Sequence, residues 1–138
     1  MSDDLKHFKY LDDLGIKLEN YYTNFCDNTD ERFPKWLEEQ KEYGFDERET
    51  WNLDRMFIEW VYTRFMMYKE IGGKTVDLSF HKFKFEGVKG GIKEVTQEEA
   101  IDIILESCKK VLLEDDINSR LPDNVMNLFC DVLPAMWW

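Results

Sequence analysis

Apolar side chains recur along most of this chain with a helical period. Leu5, Phe8, Leu11, Leu14 and Leu18 stand three or four residues apart, and Tyr21, Tyr22 and Phe25 extend the stripe. That spacing predicts one or two helices with a break at Gly15. After the polar stretch "CDNTDERFP", Pro34 suits a first helical turn, where a missing N–H costs nothing. The segment "PKWLEEQKEYG" is then a short helix stopped by Gly44, a residue able to take the left-handed cap conformation. Asp46 and Glu49 have capping-box spacing, and Thr50 or Asn52 offers a second start. From there Leu53, Phe57, Trp60, Val61, Arg64, Phe65 and Tyr68 fall on one stripe, widened by Met56, Ile58, Met66 and Met67. Such a helix is expected to be central and contacted on more than one side.

The period then changes to two. Val76, Leu78 and Phe80 alternate on even numbers, Phe83 and Phe85 on odd ones, so a bulge or bend is expected near His81–Lys82. The glycines of "EGVKGGIKEV" join "HKFKF" to "IKEV" as a hairpin. Thr96 and Glu99 form a second capping box. Ile101, Ile104, Leu105, Cys108, Val111 and Leu112 follow as a regular apolar face. A last helix begins near Pro122, with Val125, Phe129, Val132 and Leu133 inward and Pro134 as its stop. The predicted class is α+β and mostly helical. Roughly four to six helices surround a central amphipathic helix at about 52–70, with one short β-hairpin at about 76–95.

A chain of 138 residues falls in the range of one domain, 1–138, and can bury a sizeable core. A hydrophobic fraction of 43% with 15% aromatics excludes a disordered tail. No apolar run approaches the roughly 20 residues that span a bilayer. The start "MSDDLKHFKY" lacks the basic-then-apolar pattern of a leader. Cys26, Cys108 and Cys130 are odd in number and widely spaced, as in reduced thiols, so a cytoplasmic location is expected.

The net charge of −11 narrows the partners. Residues 94–116 hold eight acids against two bases, whereas 74–93 hold five bases against two acids. Such a balance argues against direct contact with nucleic-acid phosphates or an anionic membrane, and it attracts basic proteins.

The stretch "GFDERETWNLDRMFIEWVYTRFMMYKE" is rich in both acids and rings. Asp54 and Glu59 lie five apart, about 500° around a helix, so they do not share a face. Asp46 and Glu49 are employed as a cap. The stretch therefore reads as scaffold, with acids turned to solvent and rings turned inward. His7 and His81 lack the partners of a zinc site. "GVKGG" lacks the Ser/Thr and following helix of a phosphate loop. Neither a catalytic nor a cofactor-binding nor a metal-binding residue is predicted. Trp137 and Trp138 either fold back as a core plug, the favoured reading, or serve an interface, where indoles are frequent anchors.

The stretches "GFDERETWNLD", "EWVYTRFMMYKE", "TQEEAIDIIL" and "LFCDVLPAMWW" resemble small acidic proteins of phage and prophage genomes. The resemblance spans roughly residues 44–138 and is most specific at Trp51-Asn52-Leu53-Asp54. Those relatives usually have a Pro-containing loop where this chain has its hairpin. The resemblance implies a phage context, the host cytoplasm, and no catalytic residues. The expected function is binding to a basic protein surface, as an inhibitor or modulator of a host protein that handles nucleic acid. Anti-defence action, of the anti-CRISPR kind, is one such role. The expected contacts are the outward Glu98, Glu99, Asp102 and Glu106, then Glu114, Asp115 and Asp116, with the Trp137–Trp138 pair. Two other classes stay open. One is a phage assembly or virion component, which should form homo-oligomers. The other is a nucleotide binder using Lys82, Lys84, Lys89 and Lys93 of the basic hairpin.

Overall fold

The computed structural model describes residues 9–15, 29–87, 89–114 and 120–138. The chain divides into two compact units, Met1–Phe57 and Ile58–Trp138.

In the first unit, α1 (Lys9–Asp13) buries Tyr10 and Leu11 and is followed by Gly15 at φ 76°. The rest of the predicted N-terminal stripe (Leu5, Phe8, Leu18, Tyr21, Tyr22 and Phe25) lies outside the described residues. Helix α2 (Phe33–Tyr43) has Pro34 in its first turn and ends at Gly44, whose φ of 86° lets its N–H reach the Gln40 carbonyl at 2.9 Å. Only Trp36 of this helix is buried. Asp46 then caps a 3-10 turn (Glu47–Thr50), not an α-helix. Its carboxylate accepts from the Arg48 N–H at 3.0 Å. The α-helix starts later, where Asn52 Oδ1 accepts the Arg55 N–H at 3.1 Å.

Helix α3 (Leu53–Ile71) crosses the boundary between the units. Its buried apolar residues are Ile58, Val61, Tyr62 and Phe65, at spacings of three and four. Val61 and Phe65 of the expected stripe are thus inward, but they are flanked by Ile58 and Tyr62, so the centre of the inward face is turned away from the Leu53–Trp60 side. Leu53 and Trp60 point to solvent instead. Residues 72–81 correct the alternation read from the sequence, because 76–80 form no strand. Asp77 Oδ1 accepts from the Ser79 N–H at 2.9 Å and from its hydroxyl, and Phe80 N–H donates to the Asp77 carbonyl at 3.3 Å. This local Asx turn satisfies backbone groups that a strand would have paired elsewhere. Leu78 is buried, but Phe80 is exposed.

The hairpin itself is present. Strands β1 (Lys82–Glu86) and β2 (Ile92–Thr96) run antiparallel, with Phe83 opposite Val95 and Lys84 opposite Glu94. Gly90, at φ 80°, allows the tight return. The β1 strand packs against α5 (Asp123–Val132) and β2 against α4 (Gln97–Leu113). Both halves of the Thr96–Glu99 capping box form. All six apolar positions expected to face inward on α4 are buried. Helix α5 buries Val125, Leu128, Phe129 and Val132. Leu133, expected inward, is exposed because the chain turns into a 3-10 turn (Leu133–Ala135) there. The class is α+β and mostly helical, with five α-helices among the described residues and one two-stranded hairpin.

Cys108 and Cys130 differ sharply in setting. Cys108 lies in the core and burial pushes its thiol up to about 12, whereas Cys130 is exposed. A maleimide or disulfide reagent should modify Cys130 in the native protein and Cys108 only after unfolding. Mass spectrometry of the native and denatured reactions checks this.

Candidate functional site

The acids and rings of the Gly44–Glu70 stretch take the expected positions only in part: Asp54 and Glu70 are exposed and Tyr62 and Phe65 buried, but others depart. Asp46 is 1% exposed and Arg48 2% exposed. They form a bidentate pair, with Nε to Oδ1 at 3.0 Å and Nη2 to Oδ2 at 2.8 Å. The Arg48 guanidinium lies 4.2 Å from the centre of the Trp36 ring, whose indole N–H donates to Glu47 Oε1 at 3.1 Å. Glu59 is buried as well, while Phe45, Trp51 and Trp60 are exposed. The expectation of acids outside and rings inside is thus inverted at these positions. An arginine two residues along can neutralise a buried carboxylate, and an indole can lie under the resulting ion pair. Asp46 and Arg48 are thus charges held by burial and mutual pairing rather than turned to solvent. Among the described residues, no group of three or more His, Cys, Asp or Glu side chains is placed to hold a metal ion.

On α4, the face opposite the apolar one carries the acids. Glu98, Glu99 and Glu106 are exposed and Asp102 is half-exposed. They are not equivalent. Glu99 closes the capping box by accepting the Thr96 N–H at 3.0 Å. This bond, and the one from the Thr96 side chain, hold its carboxyl below the ordinary range. Asp102 is paired with Lys69 of α3. Glu98 and Glu106 form no ion pair among the described residues and remain available. Exposed Lys109 and Lys110 then separate Glu106 from Glu114, and Asp115 and Asp116 lie outside the described residues.

The tryptophan pair is no core plug: Trp137 is 76% exposed and Trp138 61%. Both residues are nevertheless tied to the body of the second unit. Trp138 lies so close over Gly72 that a Cβ there would come within 2.7 Å of the indole. The Trp137 carbonyl accepts the Tyr68 hydroxyl at 3.3 Å. Between this segment, the end of α3 and the Asp77 turn lies a cavity of about 330 Å³. Tyr68, Phe80, His81, Trp137, Asp77 and Gln97 are among the residues lining it. Phe80 and His81 meet edge to face at 5.2 Å. Buried Gln97 donates to the Ala135 carbonyl at 3.4 Å and to the Tyr68 hydroxyl at 3.5 Å. Burial pushes the Tyr68 phenol up, partly offset by the bond from Gln97. Asp77 is held below the ordinary carboxylate range by the hydroxyl and N–H of Ser79, aided by nearby Lys82. Of these lining residues, only Trp137 was expected from the sequence to touch a partner. Tyr68 had been placed on an apolar stripe, and no local signal marks Gln97.

The two strands of the hairpin divide Lys82, Lys84 and Lys93 between its faces. Lys82 and Lys84 share one face of β1, with Glu94 opposite Lys84, while Lys93 pairs with Phe85 on the other face. Lys82 donates to the Ser79 carbonyl at 2.9 Å. Among the described residues, no helix is long and apolar enough to cross a membrane. Comparisons with known protein families, curated proteins and solved structures give no match.

Proposed function

We propose that this protein acts by binding the basic surface of another protein, with no covalent chemistry of its own. The observation that carries this reading is the outward face of α4. Its first three turns present Glu98, Asp102 and Glu106 at four-residue intervals, and Glu98 and Glu106 have no cationic partner among the described residues. Carboxylates displayed in this way attract cations and repel phosphates, in keeping with the net charge of −11. The face adjoins the Trp137 cavity. Gln97 lines the cavity one residue before Glu98, and Lys69, bonded to Asp102, follows Tyr68. An exposed indole beside a carboxylate row has the composition of an anchor with a charged rim. The phage resemblance makes a host protein that handles nucleic acid the fitting partner, one whose phosphate-binding groove the carboxylates occupy.

The test compares wild type with the double variant Glu98→Lys/Glu106→Lys as baits in host extract. A partner held by wild type should bind the variant at least about tenfold more weakly, since placing like charges together across an interface costs several kcal/mol. Its affinity for wild type should also fall as salt is raised. Equal capture of the same partner by both baits, at low and high salt, rules this face out.

A further inference from the structure

The cavity beside Trp137 has a more specific chemistry than a charged surface requires. The amide of Gln97 spends its hydrogens on the Ala135 carbonyl and the Tyr68 hydroxyl. The Ala135 carbonyl can only accept, so the nitrogen of the amide must face it. Oε1 is thereby left without a hydrogen bond, although Gln97 is only 2% exposed. No fully enclosed side-chain polar atom lacks a partner among the described residues, so Oε1 keeps an open side. Gln97 lines the cavity. Asp77, also in the lining, accepts both of its hydrogen bonds at Oδ1, from the N–H and hydroxyl of Ser79, and Oδ2 accepts none. The remaining lining is largely aromatic, from Tyr68, Phe80, His81 and Trp137.

Two unspent acceptors, one of them a carboxylate, among electron-rich ring faces call for an occupant that only donates and carries positive charge. Resting on the proposed binding to a basic surface, we infer that this cavity receives an arginine side chain presented by the partner. A guanidinium has five N–H donors and no acceptor. It is flat, stacks on aromatic rings and is weakly hydrated, so it gives up water more readily than an ammonium. A cavity of about 330 Å³ lies at the small end of ligand sites and suits one side chain. Lys82 is the cation whose charge bears on Asp77, and its ammonium is tied to the Ser79 carbonyl. A phosphate-bearing ligand would depend on that lysine, whereas a guanidinium competes with it.

The protein is titrated with N-acetyl-arginine methylamide and followed by the NMR signals of the Gln97 side-chain amide and the Trp137 indole N–H. Parallel titrations use the citrulline analogue, which is neutral and nearly the same shape, the lysine analogue and AMP. Saturable shifts at both signals are expected with arginine, with citrulline about two- to thirtyfold weaker, the range spanned by exposed to desolvated cation–π contacts. Asp77→Asn and Trp137→Ala should each weaken arginine binding, and Lys82→Gln should leave it equal or tighter. Absence of saturable shifts, citrulline equal to arginine, tighter binding of lysine, or preferential binding of AMP that Lys82→Gln weakens would each overturn the inference. The arginine probe is too small to reach along α4, so Glu98→Lys/Glu106→Lys should bind it as wild type does. Loss of the probe with the acidic face still needed for the protein partner removes only the pocket. Retention of the probe with an indifferent acidic face removes only the reading on which the pocket was built.

Discussion

Asp46→Ala destabilises the protein by about 3–5 kcal/mol, the cost of leaving one member of a buried ion pair alone. The carboxylate accepts four hydrogen bonds, from the Arg48 N–H, Nε and Nη2 and from Gln40 Nε2 at 2.8 Å. Its removal strands a buried guanidinium over Trp36 and uncaps the 3-10 turn. Urea unfolding read through tryptophan fluorescence measures the loss as a shift in midpoint. Asp46→Leu combined with Arg48→Met should recover part of it, because an apolar pair leaves no uncompensated charge. The effect also carries a pH signature. Burial would raise the Asp46 pKa, but hydrogen bonds from Arg48 and Gln40 outweigh it and hold the group below its ordinary 3.8. A depressed carboxyl stabilises the fold above its unfolded value and ceases to do so as pH falls through its folded one. The gap between wild type and Asp46→Ala should therefore be constant above about pH 5 and shrink below pH 3.8. A gap that persists undiminished into strong acid would show that the ionised pair is not its source.

Phe65→Ala is the second large effect, again about 3–5 kcal/mol, from lost burial plus the cavity left behind. Phe65 is enclosed in the second unit and stacks on Phe129 of α5, with ring centres 5.7 Å apart and planes inclined by 26°. Trp60→Ala is the informative companion. Both residues belong to the apolar stripe read along α3, and by size alone the larger ring would cost more. Trp60 points to solvent with the Arg64 guanidinium over it, so its removal should change stability by no more than about 0.5 kcal/mol. Thermal unfolding of the two variants side by side decides which face of α3 is inside. Equal losses would return Trp60 to the core.

The rotation of that face shows where periodicity stops being informative. Residues 53–71 are apolar over much of their circumference, so Val61 and Phe65 could be flanked on the inward face by Trp60 and Tyr68 or by Ile58 and Tyr62. Only packing separates them. Helix α4 offered no such choice, because its acids and lysines leave one apolar face, and that face is the buried one. Residues 76–80 failed differently. Their alternation was genuine, but Asp77 and Ser79 bond to each other's turn before any strand partner can compete.

The proposed surface divides along the same line. The acid row of α4 was legible because its helix and its inward face were. What each acid does there was not, since the Lys69–Asp102 pair joins positions 33 residues apart. The tryptophan pair was recognised as unusual, yet its setting depends on Gly72 and on Tyr68, which lies 69 residues from Trp137.

By itself the sequence determined the α+β class, the stop at Gly44, the Thr96–Glu99 cap, the hairpin and the apolar face of α4. Each of these follows from contacts within about four residues, or from a turn joining two adjacent strands, where chain geometry leaves few alternatives. Tertiary structure alone decided that the Asp46–Arg48 pair is buried against Trp36, which side of α3 is inside, and that Gln97 and Trp137 share a cavity. Those arrangements rest on partners remote in sequence or on competing faces of one helix, and only the closing of the core selects among them.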